Sequence, residues 1–291
     1  MSSVPDATRA WIEAETGSRV RSAIMLDGAN TATVYRVDLS DGRSLVTKRF
    51  DRPDILDERP ERAEHEAAVL DLLSPTRVPV PRLVAVDGDG SQTGAPTVLM
   101  SWVEGVTALP DGWVEAMAAN LADIHAVEPG PITWQYQRYN EGFEPAAPRW
   151  AKDPAVWADA FAIAAGTPLE TATGFIHRDY HGGNLLWRDN RLAAVLDWLS
   201  GCIGPLAVDV AHLRVNLAMD HGEAAAAALL ETYEHVGPED AWHPVWDVID
   251  AIDFLPYYEG QQAVEVWSWD DLGDSRARFE TFLTGAVRRS A

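Results

Sequence analysis

The stretch between residues 174 and 198 limits the folds open to this chain more than any other part of it. It reads G-F-I-H-R-D-Y-H-G-G-N-L-L-W-R-D-N-R-L-A-A-V-L-D-W, with apolar runs on both sides of a polar loop and a further run after the D-N turn. Such runs, bounded by Gly, Asn and Asp, predict a strand, a loop and a hairpin. Asp179 and Asn184 lie five residues apart in the loop, and Asp197 follows thirteen residues later. The fold must therefore hold a compact β segment that carries three polar side chains.

The sequence around this segment divides into a strand-rich first part and a helix-rich second part. The predicted strands of the first part cover 22–27, 32–40, 43–50, 83–87 and 96–102, and its predicted helices cover 5–16 and 60–73. The predicted helices of the second part cover 111–127, 153–164, 206–219, 221–235, 244–263 and 271–288. We therefore predict an α+β fold with two lobes and a cleft between them. A small sheet lobe with one packed helix covers 1–100, a hinge covers 101–105, and a larger, mainly helical lobe covers 106–291.

Composition narrows the classes of protein. The net charge of −22 argues against a nucleic-acid binder, because phosphate backbones require clustered Lys and Arg. No apolar stretch approaches the roughly 20 residues that span a bilayer, and the single cysteine allows no intrachain disulfide. We expect a cytoplasmic protein with no nucleic acid, no membrane and no obligate protein partner. The charge favours a cationic substrate drawn in by the field, but a biased genome or a salty cytoplasm also accounts for it.

The residue types of the loop suit one kind of chemistry. Transfer of a phosphoryl group from a nucleotide needs a carboxylate that orients the attacking hydroxyl, oxygen ligands for Mg²⁺, and a lysine on the phosphates. Asp179 supplies the carboxylate, and Asn184 and Asp197 supply oxygen ligands. Each residue alone is an ordinary cap or turn residue. Their joint spacing is what favours the catalytic interpretation.

This pattern resembles the protein-kinase-like superfamily and, in detail, its aminoglycoside phosphotransferase branch, which also includes choline, homoserine and fructosamine kinases. That branch reads H-G-D-x-H-x-G-N and then I-D-W, and this chain has H-R-D-Y-H-G-G-N and L-D-W. The resemblance implies a bilobal protein-kinase-like fold in which Asp179 is the catalytic base or orients the hydroxyl. It also implies that Asn184 and Asp197 bind Mg²⁺. Arg178 departs from the glycine of the family.

The same resemblance assigns a nucleotide cradle to the first lobe. Lys48, in S-L-V-T-K-R-F, matches the lysine that contacts the phosphates, and Glu66 rather than Glu64 matches the carboxylate that fixes it. The turn G-A-N-T-A-T-V-Y resembles the loop over the phosphates, where backbone amides and the side chains of Asn30 and Thr31 would make the contacts.

The hinge segment T-V-L-M-S-W-V-E-G resembles the family's adenine site. Met100 would line the back of that site, and the backbones of Ser101 and Val103 would bind the purine edge, so ATP and GTP are equally compatible. Farther along the chain, Asp209 matches an acid that braces the catalytic loop from the start of a helix, and we interpret it as structural.

We therefore expect a small-molecule kinase that transfers the γ-phosphoryl group of ATP or GTP to a hydroxyl of a small, amino-bearing acceptor such as an aminoglycoside or amino sugar. A metabolic kinase of the choline, homoserine or fructosamine type is the alternative, and a catalytically silent nucleotide-binding regulator is less favoured. A protein kinase is disfavoured because L-D-W replaces D-F-G. Asp250, Asp253 and Tyr257 fall on one helix face that could hold an amine, or they belong to packed and solvated faces.

Overall fold

The computed structural model describes residues 4–27, 31–52, 60–138, 146–166, 170–255 and 273–290. The chain falls into two compact units. The first, here called the sheet unit, contains residues 1–106, 130–132 and 185–200. The second, here called the helical unit, contains residues 107–129, 133–184 and 201–291.

The described residues form eight α-helices and nine β-strands. In chain order these are α1 (Asp6–Thr16), β1 (Val20–Leu26), β2 (Thr33–Leu39), β3 (Ser44–Arg49), α2 (Arg62–Leu73), β4 (Leu83–Asp87), β5 (Thr97–Ser101), α3 (Trp113–His125), α4 (Pro154–Ala165), β6 (Thr173–Ile176), β7 (Leu185–Arg188), β8 (Arg191–Val195), β9 (Cys202–Pro205), α5 (Ala207–His221), α6 (Glu223–Val236), α7 (Pro244–Asp253) and α8 (Asp274–Ser290). The mixture of a strand-rich first part and a helix-rich second part confirms the predicted α+β class. Strand β9 lies outside the predicted elements; Gly204 and Pro205 in its short sequence give little strand signal.

The sheet unit is built on an antiparallel sheet of five strands in the order β1-β2-β3-β5-β4. Alternate residues of β2, Tyr35, Val37 and Leu39, are buried, as expected for a strand with one face on the core. Trp11 and Ile12 of α1 belong to the same buried cluster. Helix α1 therefore covers one face of the sheet and closes its apolar core.

Two hairpins form where the sequence predicts them. Gly42, at the turn between β2 and β3, has φ of 91°, a conformation that glycine adopts without a steric penalty. Asp189 and Asn190, between β7 and β8, have φ of 51° and 59°. Positive φ at both central residues is typical of a type I′ turn, which matches the twist of paired strands. The second hairpin ends just before Asp197, so its turn sets the position of that residue.

The helical unit buries several charged side chains as matched pairs. Arg214 of α5 binds Asp247 of α7 through two bonds of 3.0 Å, and its Nη1 donates to the carbonyl of Ala226 on α6. Trp242 also donates to Asp247, at 3.1 Å. Because these groups are withdrawn from water, each requires the other to satisfy its charge. The cluster joins three helices through one guanidinium.

No helix in the part of the chain that the structure describes combines the length and apolar character required to cross a bilayer.

Substituting Arg214 with Met should test this buried pair. The change keeps an unbranched side chain but leaves Asp247 without its bidentate partner, so we expect the free energy of unfolding to fall by about 3–5 kcal/mol. Urea denaturation followed by circular dichroism measures the loss. Arg288→Met on α8, where the arginine is exposed, is the matched control and should change stability by no more than about 0.5 kcal/mol. Equal losses in the two variants would contradict the role of the pair.

Candidate active site

A buried lysine lies between two carboxylates in the sheet unit. Lys48 is on β3, paired with Val34 and Val98 of the neighbouring strands. Its Nζ donates to Oε1 of Glu66 at 3.0 Å and to Oδ1 of Asp197 at 2.6 Å. Three residues that are distant in sequence therefore meet at one ammonium group.

The environment keeps this lysine charged. Burial by itself lowers the pKa of Lys48, but the negative charges of Asp197 and Glu66 outweigh that effect and raise the pKa well above its ordinary value. Burial raises the pKa of Glu66, and the charge of Lys48 opposes this shift. Lys48 is thus a fixed cation at neutral pH, as a phosphate-binding lysine must be.

The choice between the two glutamates of α2 follows from helix geometry. Glu66 is buried and bonds to Lys48, whereas Glu64 is exposed. Two positions along an α-helix point about 200° apart, so both side chains cannot face the same strand. Glu66 is the partner of Lys48, as predicted.

Asp197 has an unusual backbone and a half-exposed side chain. Its φ is 59°, in the left-handed region that non-glycine residues enter at a cost. The side chain remains 41% exposed although one oxygen accepts from Lys48. Strained residues in this region concentrate at functional sites. The carboxylate is therefore held by one oxygen and accessible to a ligand.

The other nucleotide-site predictions lie at β5 and at the turn before β2. Met100 is buried on β5, and Ser101 and Val103 are half-buried. The N–H of Ser101 donates to the carbonyl of Arg82, so only the carbonyl of Ser101 could serve a purine edge. Thr31 is half-buried near the start of β2, and Asn30 lies outside the described residues.

In the helical unit, one buried carboxylate organises the loop after β6. Asp209, in the first turn of α5, accepts the N–H groups of His177 and Arg178, each at 2.7 Å. His125 Nε2 lies 3.3 Å from the same carboxylate, and His125 Nδ1 contacts the Tyr233 hydroxyl at 2.5 Å. Burial alone raises the pKa of Asp209, but its bond to His125 and the histidine charges more than compensate and lower it. Asp209 thus makes the contacts predicted from the sequence, in which an acid at the start of a helix supports the loop.

The loop presents Asp179 with both carboxylate oxygens held. Asn184 Nδ2 donates to Oδ2 of Asp179 at 3.1 Å and to its carbonyl at 2.9 Å. His212 Nε2, on α5, lies 3.2 Å from Oδ1. The Asp179 side chain nevertheless remains 35% exposed. Its carboxylate is therefore oriented by protein groups and open to a ligand at the same time.

The charge of Asp179 is stabilised by neighbouring histidines. Burial by itself raises the pKa of the carboxyl. The hydrogen bond from His212 and the charges of His181, His212 and His177 outweigh burial, so the pKa of Asp179 lies well below its ordinary value. The group is ionised at neutral pH and accepts hydrogen bonds only.

His212 itself is a buried cation between two acids. Its Nδ1 lies 3.3 Å from Oδ2 of Asp250 on α7, and its ring is stacked on Phe254 with centroids 5.2 Å apart. Burial lowers the pKa of His212, but the charges of Asp250 and Asp179 and their hydrogen bonds raise it to about 10. The only sequence signal for His212 was its place three residues after Asp209 on the same predicted helix, where side chains are neighbours.

The acidic face predicted on α7 is engaged by cations of the protein. Asp253 accepts from Arg138 at 2.7 and 2.9 Å, and Arg178 lies 3.6 Å from its second oxygen. Asp250 and Asp253 are both buried, so they are neither a solvated face nor an exposed amine site. Tyr257, the third member of the predicted face, lies outside the described residues.

The predicted Mg²⁺ ligands have suitable donor atoms. Because Nδ2 of Asn184 donates to Asp179, its amide oxygen is the atom left for a metal. Asp197 offers a half-exposed carboxylate. Among the described residues no cluster of three or more His, Cys, Asp or Glu could hold a metal. Mg²⁺ is commonly held by one or two protein oxygens together with substrate phosphates, so the oxygen that each residue offers is of a kind that this ion accepts.

Comparisons with known proteins agree with this fold. Residues 25–250 match the phosphotransferase enzyme family. The macrolide 2′-phosphotransferase MphH from Brachybacterium faecium is 19% identical, with a TM-score of 0.64 over 96% of this chain and 98% of that chain. A thermostable mutant of the aminoglycoside phosphotransferase APH(4)-Ia, solved with ADP and hygromycin B, is 15% identical, with a TM-score of 0.62 over 98% and 99% of the two chains. Amicoumacin kinase hAmiN, solved with AMP-PNP and Ca²⁺, is 14% identical, with a TM-score of 0.59 over 92% and 88%.

The chain belongs to the phosphotransferase enzyme family, since the match covers most of its length. This membership confirms the predicted resemblance and the prediction of a phosphotransferase with a hydroxyl acceptor. The likeness to the solved structures confirms the kinase-like fold.

The position of His212 predicts a pH dependence of stability. The pKa of His212 rises from 6.5 to about 10 on folding. Its contribution to the free energy of unfolding is therefore fully present below pH 6.5 and is lost as the pH rises through about 10. Asp179, Asp250 and His181 are the titratable groups nearest to its ring. We expect wild type to lose more stability than His212→Gln between pH 6.5 and about pH 10. The urea midpoints of the two proteins, measured across this pH range, give the difference. Parallel curves for the two proteins would contradict the buried imidazolium.

Proposed function

We propose that this chain is a kinase that transfers the γ-phosphoryl group of ATP to a hydroxyl of a small molecule, with Mg²⁺ as the cofactor. The observation that carries the proposal is the state of Asp179. Its carboxylate is ionised, held at both oxygens and still 35% exposed. A carboxylate with a purely structural role, such as that of Asp209, is fully buried, whereas the Asp179 carboxylate is open to a ligand.

Asp179 orients the acceptor in this proposal. An ionised carboxylate with a lowered pKa is a weak base, but it accepts a hydrogen bond from a hydroxyl strongly. Phosphoryl transfer through a loose transition state requires alignment of the hydroxyl before it requires removal of the proton. Asp179 therefore fixes the direction of the hydroxyl oxygen and receives its proton late.

Lys48 holds the nucleotide phosphates in the proposal, and Glu66 and Asp197 keep its ammonium group in place. Asn184 and Asp197 hold Mg²⁺. When bound, Mg²⁺ neutralises the charge on the phosphate oxygens. The purine is held by the backbone carbonyl of Ser101 and the backbone of Val103, with Met100 behind it. Thr31 and Asn30 contribute to the phosphate loop.

The nucleotide and the acceptor are supported to different degrees. ADP and AMP-PNP in two of the related structures favour an adenine nucleotide. The related proteins act on or bind a macrolide, hygromycin B and amicoumacin, so relationship alone selects no single acceptor. Asp250 and Asp253 are paired with His212, Arg178 and Arg138, so they give no support to an amine site on α7. An amino-bearing acceptor is supported by the net charge of −22 alone.

A screen of acceptors tests the function directly. Purified protein is incubated with Mg²⁺ and either ATP or GTP, and with aminoglycosides, macrolides, amino sugars, choline-like alcohols and hydroxy amino acids. We expect Mg²⁺-dependent release of ADP that at least one alcohol stimulates, with a phosphorylated product seen by mass spectrometry. Tight nucleotide binding without a product across the panel would favour the silent regulator instead.

Asp179→Asn should keep nucleotide affinity and lower turnover by at least about a hundredfold, the lower range for loss of an acid–base group. The amide keeps the size of the side chain but lacks the charge that aligns the hydroxyl. Steady-state kinetics and nucleotide titration by calorimetry measure the two quantities. Asp220→Asn, the same change at an exposed residue of α5, is the matched control and should behave as wild type. Normal turnover of Asp179→Asn would reject the assigned role.

Asp197→Ala should abolish the part of nucleotide binding that depends on Mg²⁺. The variant loses a proposed metal ligand and one of the two carboxylates that bind Lys48. Calorimetric titration of ATP with Mg²⁺ and with EDTA separates the metal-dependent part from the rest. Asp189→Asn, in the exposed turn of the same hairpin, should leave both titrations unchanged. Equal metal dependence in Asp197→Ala and wild type would remove Asp197 from the metal site.

A further inference from the structure

One buried histidine of the helical unit contacts the carboxylate that we assign to the reaction. His212 Nε2 lies 3.2 Å from Oδ1 of Asp179, on the side opposite to Asn184, which donates to Oδ2. The two donors come from different elements, since His212 is on α5 and Asn184 is in the loop itself. A carboxylate with one donor on each oxygen cannot rotate about its last bond without breaking a contact. Asp179 is therefore fixed in rotation as well as in position.

His212 is fixed in turn by α7. Its Nδ1 faces Oδ2 of Asp250 at 3.3 Å, and its ring is stacked on Phe254 with an interplanar angle of 21°. His212 is 5% exposed and Asp250 is 4% exposed. A ring that faces a carboxylate through each nitrogen is favoured in the imidazolium form, in which both nitrogens carry a proton. Burial of the pair makes exchange of these contacts for water costly.

Asp250 also reaches the residue that precedes Asp179. Its Oδ1 lies 3.5 Å from Nη1 of Arg178, and the Arg178 guanidinium lies over the ring of Tyr136 at 4.8 Å. Arg178 has φ of 74°, a left-handed conformation that the glycine of the family enters more readily. One acid of α7 thus faces both Arg178 and His212.

We propose that His212, held by Asp250, is a positioning residue that keeps the Asp179 carboxylate aligned for the acceptor hydroxyl. The inference rests on the proposed function, because it assigns a purpose to the alignment of Asp179. His212 does not touch the nucleotide in this scheme, and it gives up no proton during the reaction. Its loss should therefore lower turnover and leave nucleotide affinity intact.

Kinetics of His212 variants test the proposal. His212→Leu removes the donor at similar volume, and His212→Gln keeps a neutral donor. With ATP, Mg²⁺ and the alcohol of the panel that releases most ADP, we expect kcat to fall at least about tenfold in His212→Leu, and less in His212→Gln, with the KM for ATP within about twofold. His221→Gln, at an exposed position on the same helix, is the matched control. An unchanged kcat in His212→Leu overturns the proposal.

A double variant separates positioning from general support of the fold. If His212 acts through Asp179, adding His212→Leu to Asp179→Asn should cause no further loss of turnover, because the group it aligns is already gone. If the loss of turnover in the double variant equals the product of the two single losses, the proposal is overturned and His212 has a structural role. The variant Asp179→Asn alone tests the proposed function, so failure of the function and failure of this inference give different results.

The charge of the ring provides a test that needs no acceptor. In ¹⁵N-histidine spectra of wild type, assigned by the signals missing from His212→Gln, both ring nitrogens of His212 should be protonated near pH 8, where an ordinary histidine is neutral. Asp250→Asn should move these signals toward the neutral ring. A neutral His212 in wild type near pH 8 overturns the proposal whatever the kinetics show.

Discussion

The carboxylate of Asp209 is the constraint on which the candidate catalytic loop depends. It is fully buried, and it satisfies two consecutive backbone N–H groups that would otherwise point into the core without an acceptor. Two bonds to neighbouring amides fix the direction of the chain just before Asp179. His125 contacts the Asp209 carboxylate from behind, and the Tyr233 hydroxyl contacts the other ring nitrogen of His125. The orientation of Asp179 therefore depends on an acid to which we assign a structural role.

A second theme of the molecule is the pairing of buried charges. The sheet unit places Lys48 between two acids, and the helical unit places His212 between two acids. In each case a cation with a raised pKa presents a partly exposed carboxylate, Asp197 or Asp179, in a fixed orientation. Compared with apolar side chains of similar volume, such pairs contribute little net stability, because desolvation offsets attraction. Under the proposed function the benefit of these pairs is preorganisation, since the charges are aligned before a ligand binds.

The secondary structure was largely predictable, because it depends on local patterns. The helix predicted at 153–164 is observed at Pro154–Ala165, and the strand predicted at 83–87 is observed at Leu83–Asp87. Strand β9 was missed, since the four residues C-I-G-P show no alternation of apolar and polar side chains in the sequence. The strand forms because it pairs with β6. The predicted assignment of 101–105 as a hinge stays a prediction. Catalytic roles for the spaced residues likewise stay proposals that the contacts support.

The sequence by itself identified the residues to which we assign the chemistry, because the spacing of Asp179, Asn184 and Asp197 matches the motif of the kinase-like superfamily. Only the tertiary structure decided which cationic groups pair with the buried and half-buried acids. The contact of His212 with Asp179 and the pairing of Asp253 with Arg138 join residues that are 33 and 115 positions apart. No periodicity in a sequence encodes such distances. Burial decides them, because a charged group removed from water must find its partner in the folded chain.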